Sequence, residues 1–302
     1  MDDLWDKVFS FERYGELLGL VHNSLLAGAL LGLIGGLIGV FVMARDLPFA
    51  VHGISELSFA GAALFLLIGL DVVLGSIVGS LAAALLLGLL GVRARDRSSV
   101  IGVLMPFGLG LGVLFLSLYP GRSANKFGLL TGQIVAVDDP QLAWLAGIAV
   151  VVLAALLVLW RPLMFASVDP EMAAARGVPV RLLSPVFMVV LGLTVAMSVQ
   201  IVGALLVLSL LVTPAAAALR VTASVLWVPV LSTVFALVSV VGGILLALGG
   251  SLPISPYVTT ISFLIWVVCR LLGRRRDRHG RITRSRPSGD AHTRTGGPAP
   301  IG

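Results

Sequence analysis

The chain has 302 residues, of which 58% are hydrophobic and 12% charged, with a mean hydropathy of +1.06. A soluble globular enzyme carries roughly 25% charged residues, so that class is excluded. So are a disordered chain and, since Cys269 is the single cysteine, a disulfide scaffold. The formal net charge of +6 resides in residues 273–302, which hold eight arginines and two aspartates. The rest of the chain is neutral, so the high pI describes a tail and not a nucleic-acid-binding body.

These numbers fit an all-α, polytopic helical membrane protein, and the charges punctuate its spans. Residues 1–20 mix Leu4, Trp5, Val8, Phe9 and Phe11 with Asp6, Lys7, Glu12 and Arg13. This pattern predicts an amphipathic segment lying at the membrane surface, with no basic start typical of a cleavable leader. Spans of ~20 apolar residues are expected at 17–44, 49–70, 72–92, 98–119 and 142–160. Residues 119–141 form a longer polar loop between the fourth and fifth. The uncharged stretch 182–219 is too long for one span. Its polar break at Ser198–Gln200 and Gly203 predicts either a hairpin or one helix plus a re-entrant piece. Residues 221–269 break at GGSLPISP (249–256). The count is eight or nine spans at ~20 residues each.

Arg45, Arg93/Arg95/Arg97, Arg161/Arg176/Arg181, Arg220 and the run from Arg270 fall on one face, which the positive-inside rule makes cytoplasmic. Nine spans would then put the N-terminus outside and the C-terminus inside. Residues 273–302, rich in Arg, Gly, Ser, Thr and Pro, are expected to be a disordered cytoplasmic tail that can touch anionic headgroups. The many glycines, as at Gly28, Gly32, Gly36 and Gly39, suit close helix packing. They make no phosphate loop, because the chain's lysines are Lys7 and Lys126 alone and no G-x-x-x-x-G-K-[ST] occurs.

Two places carry chemistry. In RPLMFASVDPEMAAARGVPVR (161–181) Asp169 can cap a short helix, Pro170 suits its first position, and Glu171 meets the positive end of its dipole. Met172 to Ala175 are good helix formers, Gly177 suits a left-handed stop and Pro179 prevents resumption. A cytoplasmic helix with both ends so specified fits either a docking element or a plain connection. In VHGISELSFAG (51–61), His52 and Glu56 stand one helical turn apart on one face, with Ser55 between them. Ionisable residues within a span are costly and usually face a water path or the bundle interior. Imidazole plus carboxylate suits Zn²⁺, Mn²⁺ or Fe²⁺, yet two ligands cannot close a site, as befits a place of transit. A hydrogen-bonded pair between helices is the other reading.

Met43, Met105, Met197 and Gln200 are expected to pack, though each could line a path. Asp138–Asp139 should cap the fifth span, His22 should be interfacial and Cys269 inert. H-E-x-x-H is absent, which argues against a membrane metallohydrolase.

At these places the chain resembles the permease subunits of the zinc/manganese/iron ABC importers, the ABC-3 type, over about residues 20–270. The likeness rests on FASVDPEMAAARGVPV (165–180), QIVGALLVLSLLVTPAAAALR (200–220), NKFGLLTGQIVAVDDPQL (125–142) and SLPISPYVTT (251–260), in that order. The resemblance implies a bundle like that of the vitamin B12 permeases, in a bacterial plasma membrane, with a permease domain at 21–272. It implies a coupling helix at 169–177 in which Asp169, Pro170, Glu171, Ala174 and Gly177 meet a separate ABC ATPase subunit. It also implies an extracytoplasmic metal-binding protein and a second permease copy. No nucleic acid and no tightly bound cofactor is expected. The metal is substrate: Zn²⁺ first, then Mn²⁺ or Fe²⁺, passing His52 and Glu56. The family usually places an aspartate, then a histidine four residues on, then proline–glycine. Here the order is His52, Glu56 and then Ala60–Gly61. A permease for a chelate such as cobalamin or an iron–siderophore is the alternative.

Overall fold

Each uncharged run becomes a helix because, in lipid, only a helix satisfies every backbone N–H and C=O within its own segment. The computed structural model describes residues 21–90, 94–121, 137–248 and 254–284. Ten α-helices are described: α1 His22–Ala44, α2 Pro48–Leu67, α3 Val72–Leu90, α4 Ala94–Leu118, α5 Asp139–Val168, α6 Pro170–Ala175, α7 Val180–Val202, α8 Val207–Val221, α9 Trp227–Ala247 and α10 Ile254–Arg284. Among the described residues nine helices are long and apolar enough to cross a membrane, all but α6. The expected amphipathic segment 1–20 lies outside the described residues, as do 122–136 of the polar loop.

The structure sharpens the expectation at three points. The stretch 182–219 becomes two membrane-length segments, α7 and a short 3₁₀ turn (Ala204–Leu206) leading into α8. The break falls at Gly203, whose φ of 81° glycine adopts without strain. Ser198–Gln200 remain helical, and the Ser198 hydroxyl is satisfied within the helix by donating to the Thr194 carbonyl oxygen at 2.7 Å. Next, α5 runs past Arg161 and Pro162 to Val168, ending against the cap of α6. Finally, α10 continues to Arg284, so Gly273 ends the apolar span but not the helix, and arginine is a good helix former. The remainder of the tail, 285–302, lies outside the described residues.

Packing follows the small residues. α2 lies between α3 and α4 and also touches α7 and α8, while α1 lies on α8 and α9, and α10 closes on α8 and α9. A methyl group on Gly61 would collide with the Gly75 carbonyl oxygen of α3, and one on Gly79 with the Leu57 carbonyl oxygen of α2. On the other side of α2, a methyl on Gly108 of α4 would meet the Glu56 carbonyl carbon at 3.0 Å. α2 is therefore held backbone to backbone on two sides, the kind of close approach that replaces a hydrophobic driving force in lipid. Hydroxyls supplement it: the Ser58 and Ser76 side chains pair at 2.7 Å, and Ser76 donates to the Ala196 carbonyl oxygen of α7 at 3.4 Å.

Candidate functional site

Pro48 opens α2, where its missing N–H costs nothing. His52 follows one turn later and Glu56 two turns later, so the pair lies in the half of α2 that starts beside Arg45. His52 Nε2 stands 3.5 Å from Glu56 Oε1. The Glu56 side chain is 3% exposed and that of His52 26%. His52 Nδ1 and Glu56 Oε2 are buried without a hydrogen-bond partner. An unpaired buried polar atom costs about 1–3 kcal/mol, so the two atoms, which find no partner among the described residues, mark a place where a bound ion or water would be stabilised. Among the described residues no second helix supplies a hydrogen-bond partner for His52 Nδ1 or Glu56 Oε2, as a bond between helices would need.

The remaining candidates sort themselves. Ser55 is buried and donates to the His52 carbonyl oxygen at 2.8 Å, which uses its hydroxyl proton on its own helix. Met105 of α4 packs over Gly53, beside the pair. Met197 is fully buried in α7, and Gln200 Nε2 reaches the Val72 carbonyl oxygen at the start of α3 at 3.4 Å. Asp138 caps α5 by accepting from the Gln141 N–H at 2.9 Å. Asp139 instead accepts from Asn23 Nδ2 at 2.7 Å and ties α5 to the start of α1. His22 is exposed and Cys269 is buried. No group of three or more His, Cys, Asp or Glu side chains able to hold a metal occurs among the described residues.

The short helix α6 forms as its residues dictate. Asp169 Oδ1 accepts from the Met172 N–H at 2.9 Å, Pro170 takes the first position, and Gly177 turns at φ 85°. Ala173 is fully buried and anchors it, while Pro170, Glu171, Met172, Ala174 and Ala175 are exposed. One face of the helix is therefore presented. We expect Asp169→Ala to loosen α6 by about 1 kcal/mol, the worth of an N-cap, read as faster amide exchange at Met172 and Ala173. Two features escaped sequence reasoning. Arg45 Nε donates to Ser167 Oγ at 3.1 Å, and its guanidinium lies 5.3 Å from the centre of the Phe187 ring. These partners are more than 100 residues away, beyond the reach of any local spacing rule.

Among the described residues, nine apolar helices, a His–Glu pair inside one of them and a short capped helix make up the bundle and its candidate site. Residues 18–273 match the ABC 3 transport family, and the chain belongs to it. It is similar to the manganese import system permease protein ScaB of Streptococcus parasanguinis, 32% identical over 225 residues, covering 74% of this chain and 80% of the relative. It is 29% identical to the manganese transport system membrane protein MntC of Halalkalibacterium halodurans over 74% of this chain and 77% of that protein. The high-affinity zinc uptake system membrane protein ZnuB of Haemophilus influenzae is 26% identical, over 82% and 96%. Among solved structures, PsaBC from Streptococcus pneumoniae in complex with Fab superposes with a TM-score of 0.76 at 25% identity, covering 86% of this chain and 95% of that one. The protein is a multi-pass protein of the bacterial plasma membrane.

Proposed function

We propose that this chain forms the translocation path of an ATP-driven importer of divalent transition metal ions. The observation that carries the reading is the His52–Glu56 pair, with Nδ1 and Oε2 buried and unpartnered inside a span. One imidazole and one carboxylate per chain favour Zn²⁺, Mn²⁺ or Fe²⁺ over harder or softer ions. The donor types do not separate these ions; the resemblance placed Zn²⁺ first, and the relatives named for manganese bring Mn²⁺ level with it. A chelate permease is not favoured, because a chelated metal has no use for donor side chains in its path. Two copies of the chain would supply two imidazoles and two carboxylates, a set of four that a transition metal accepts.

The remaining partners follow from this reading: an ABC ATPase subunit against the exposed face of α6, a metal-binding protein on the outer side, and lipid around the bundle. ATP hydrolysis belongs to the ATPase subunit, since the chain has no Walker sequence. Proteoliposomes holding permease, ATPase and binding protein should take up Mn²⁺ or Zn²⁺ only with ATP. Uptake of neither ion, or uptake without ATP, would sink the proposal. Ala174→Arg places a long charged side chain on the presented face of α6. It should cut co-purification of the ATPase about tenfold or more, the loss from blocking one central contact, with the permease still folded by size-exclusion chromatography.

A further inference from the structure

Arg45 occupies an unusual position for a boundary arginine. It ends α1, and the next residue but two opens α2, the helix of His52 and Glu56. The turn between them has no slack. Asp46 adopts a left-handed φ of 52°, Leu47 is 3% exposed in the core, and the Leu47 N–H donates to the Val42 carbonyl oxygen at 2.9 Å. A displacement of Arg45 therefore becomes a displacement of the first turn of α2.

The Arg45 side chain is held by the two helices that flank α6. Its Nε donates to Ser167 Oγ, two residues before the Asp169 cap, and Ser167 is itself fastened by donating to the Leu163 carbonyl oxygen at 2.6 Å. Its guanidinium lies over Phe187 of α7. One turn back on α1, Phe41 packs edge-on against Trp160 of α5 at 5.0 Å and against Phe187 at 6.1 Å. α6 packs on α5 and touches α7, its Ala173 is buried, and the Val178 N–H closes its last turn by donating to the Ala173 carbonyl oxygen at 3.0 Å. Arg45 thus meets Ser167, two residues before the α6 cap, and Phe187 on the helix that follows α6, and it is joined to α2 through the short turn Asp46–Leu47.

We propose that Arg45 is a positioning residue that transmits motion of α6 to the metal-path helix α2, through its bond to Ser167 and its contact with the Phe187 ring. This rests on the reading of His52 and Glu56 as the path and of α6 as the ATPase contact. Lysine keeps the charge but has no Nε–H at the position that donates to Ser167 Oγ while the charged head lies over the Phe187 ring.

The test uses the full chain assembled with its ATPase in vesicles, with C269S and H52C introduced together. The rate at which a membrane-impermeant maleimide labels the H52C thiol is measured without nucleotide and after trapping with ATP and vanadate. With Arg45 intact, trapping should change the rate by about fivefold or more, a coupling at the low end of the usual range. In R45A and in R45K the change should fall below about 1.5-fold, while bound ATPase and ATP hydrolysis stay within about twofold of the parent, since coupling and not assembly is lost. S167A, which removes one hydrogen bond and little volume, should give an intermediate response.

An undiminished response in R45A, or a normal one in R45K, overturns the proposal, as does no response in the parent. If R45A loses its ATPase, S167A decides: a damped response supports the transmission role and a full one overturns it. Metal uptake by the unsubstituted complex is measured in the same vesicles. A labelling response that depends on Arg45, without Mn²⁺ or Zn²⁺ uptake, would leave the transmission role standing and remove the metal reading alone.

Discussion

Glu56→Gln and His52→Ala should each abolish metal uptake while the permease still assembles with its partners. Glutamine keeps the size and shape of glutamate and can hydrogen-bond, but it carries no charge and binds a divalent ion poorly. Because Glu56 is 3% exposed and Oε2 has no partner, the substitution removes no described contact of Oε2. His52→Ala removes a side chain that is 26% exposed, so little core is lost. An interaction of about 3 kcal/mol at the rate-limiting barrier corresponds to about a hundredfold in rate, and that is the loss expected for each variant. The measurement is initial uptake of ⁵⁴Mn²⁺ or ⁶⁵Zn²⁺ into vesicles at equal protein, alongside thermal unfolding in detergent. A drop in uptake with an unchanged melting temperature places the defect in transport. Wild-type uptake by both variants would remove the pair from the path. Exchanging the two, as H52E/E56H, keeps both donors and tests whether their order sets the preference between manganese and zinc.

The second large effect is on folding. Gly61→Ala and Gly79→Ala each add one methyl group, and each methyl meets a backbone carbonyl oxygen of the neighbouring helix. A flexible side chain could swing aside, but backbone cannot, so α2 and α3 must separate. Overpacking costs about 1–3 kcal/mol. For a domain of this size each kcal/mol lowers the melting temperature by about 2–4 °C, so a fall of about 2–12 °C is expected. Gly102 of α4 and Gly147 of α5 serve as controls, since a methyl on either meets nothing within 4 Å. Alanine there should stay within about 0.5 kcal/mol of the parent. Equal losses at all four glycines would mean that the close α2–α3 contact does not hold α2 in place.

Much of the architecture was legible in the sequence. Apolar runs bounded by arginines marked the spans, because a charge in lipid is too costly to leave inside one without a function. The limits of α6 were legible as well, because Asp169, Pro170 and Gly177 act on backbone within a few residues of themselves. His52 and Glu56 could be paired from their spacing alone, since one helical turn sets their distance. The choice between eight and nine spans could not be made this way. The sequence placed the break at Ser198–Gln200 and Gly203; Ser198 satisfies itself within its helix, and of these positions only Gly203 forms the turn.

By itself, then, the sequence determined the class of protein, its spans, the capped helix and the presence of a lone imidazole and carboxylate within one of the spans. All of these depend on transfer of residues to lipid or on hydrogen bonds within a few residues, which composition and spacing record. Only the tertiary structure decided that Nδ1 and Oε2 are left without partners, that α2 is gripped backbone to backbone by α3 and α4, and that Arg45 joins α1 to both flanks of α6. Those facts depend on which helices lie side by side. Side-chain volumes and glycine clearances along the whole chain select that arrangement together, and no local pattern encodes it.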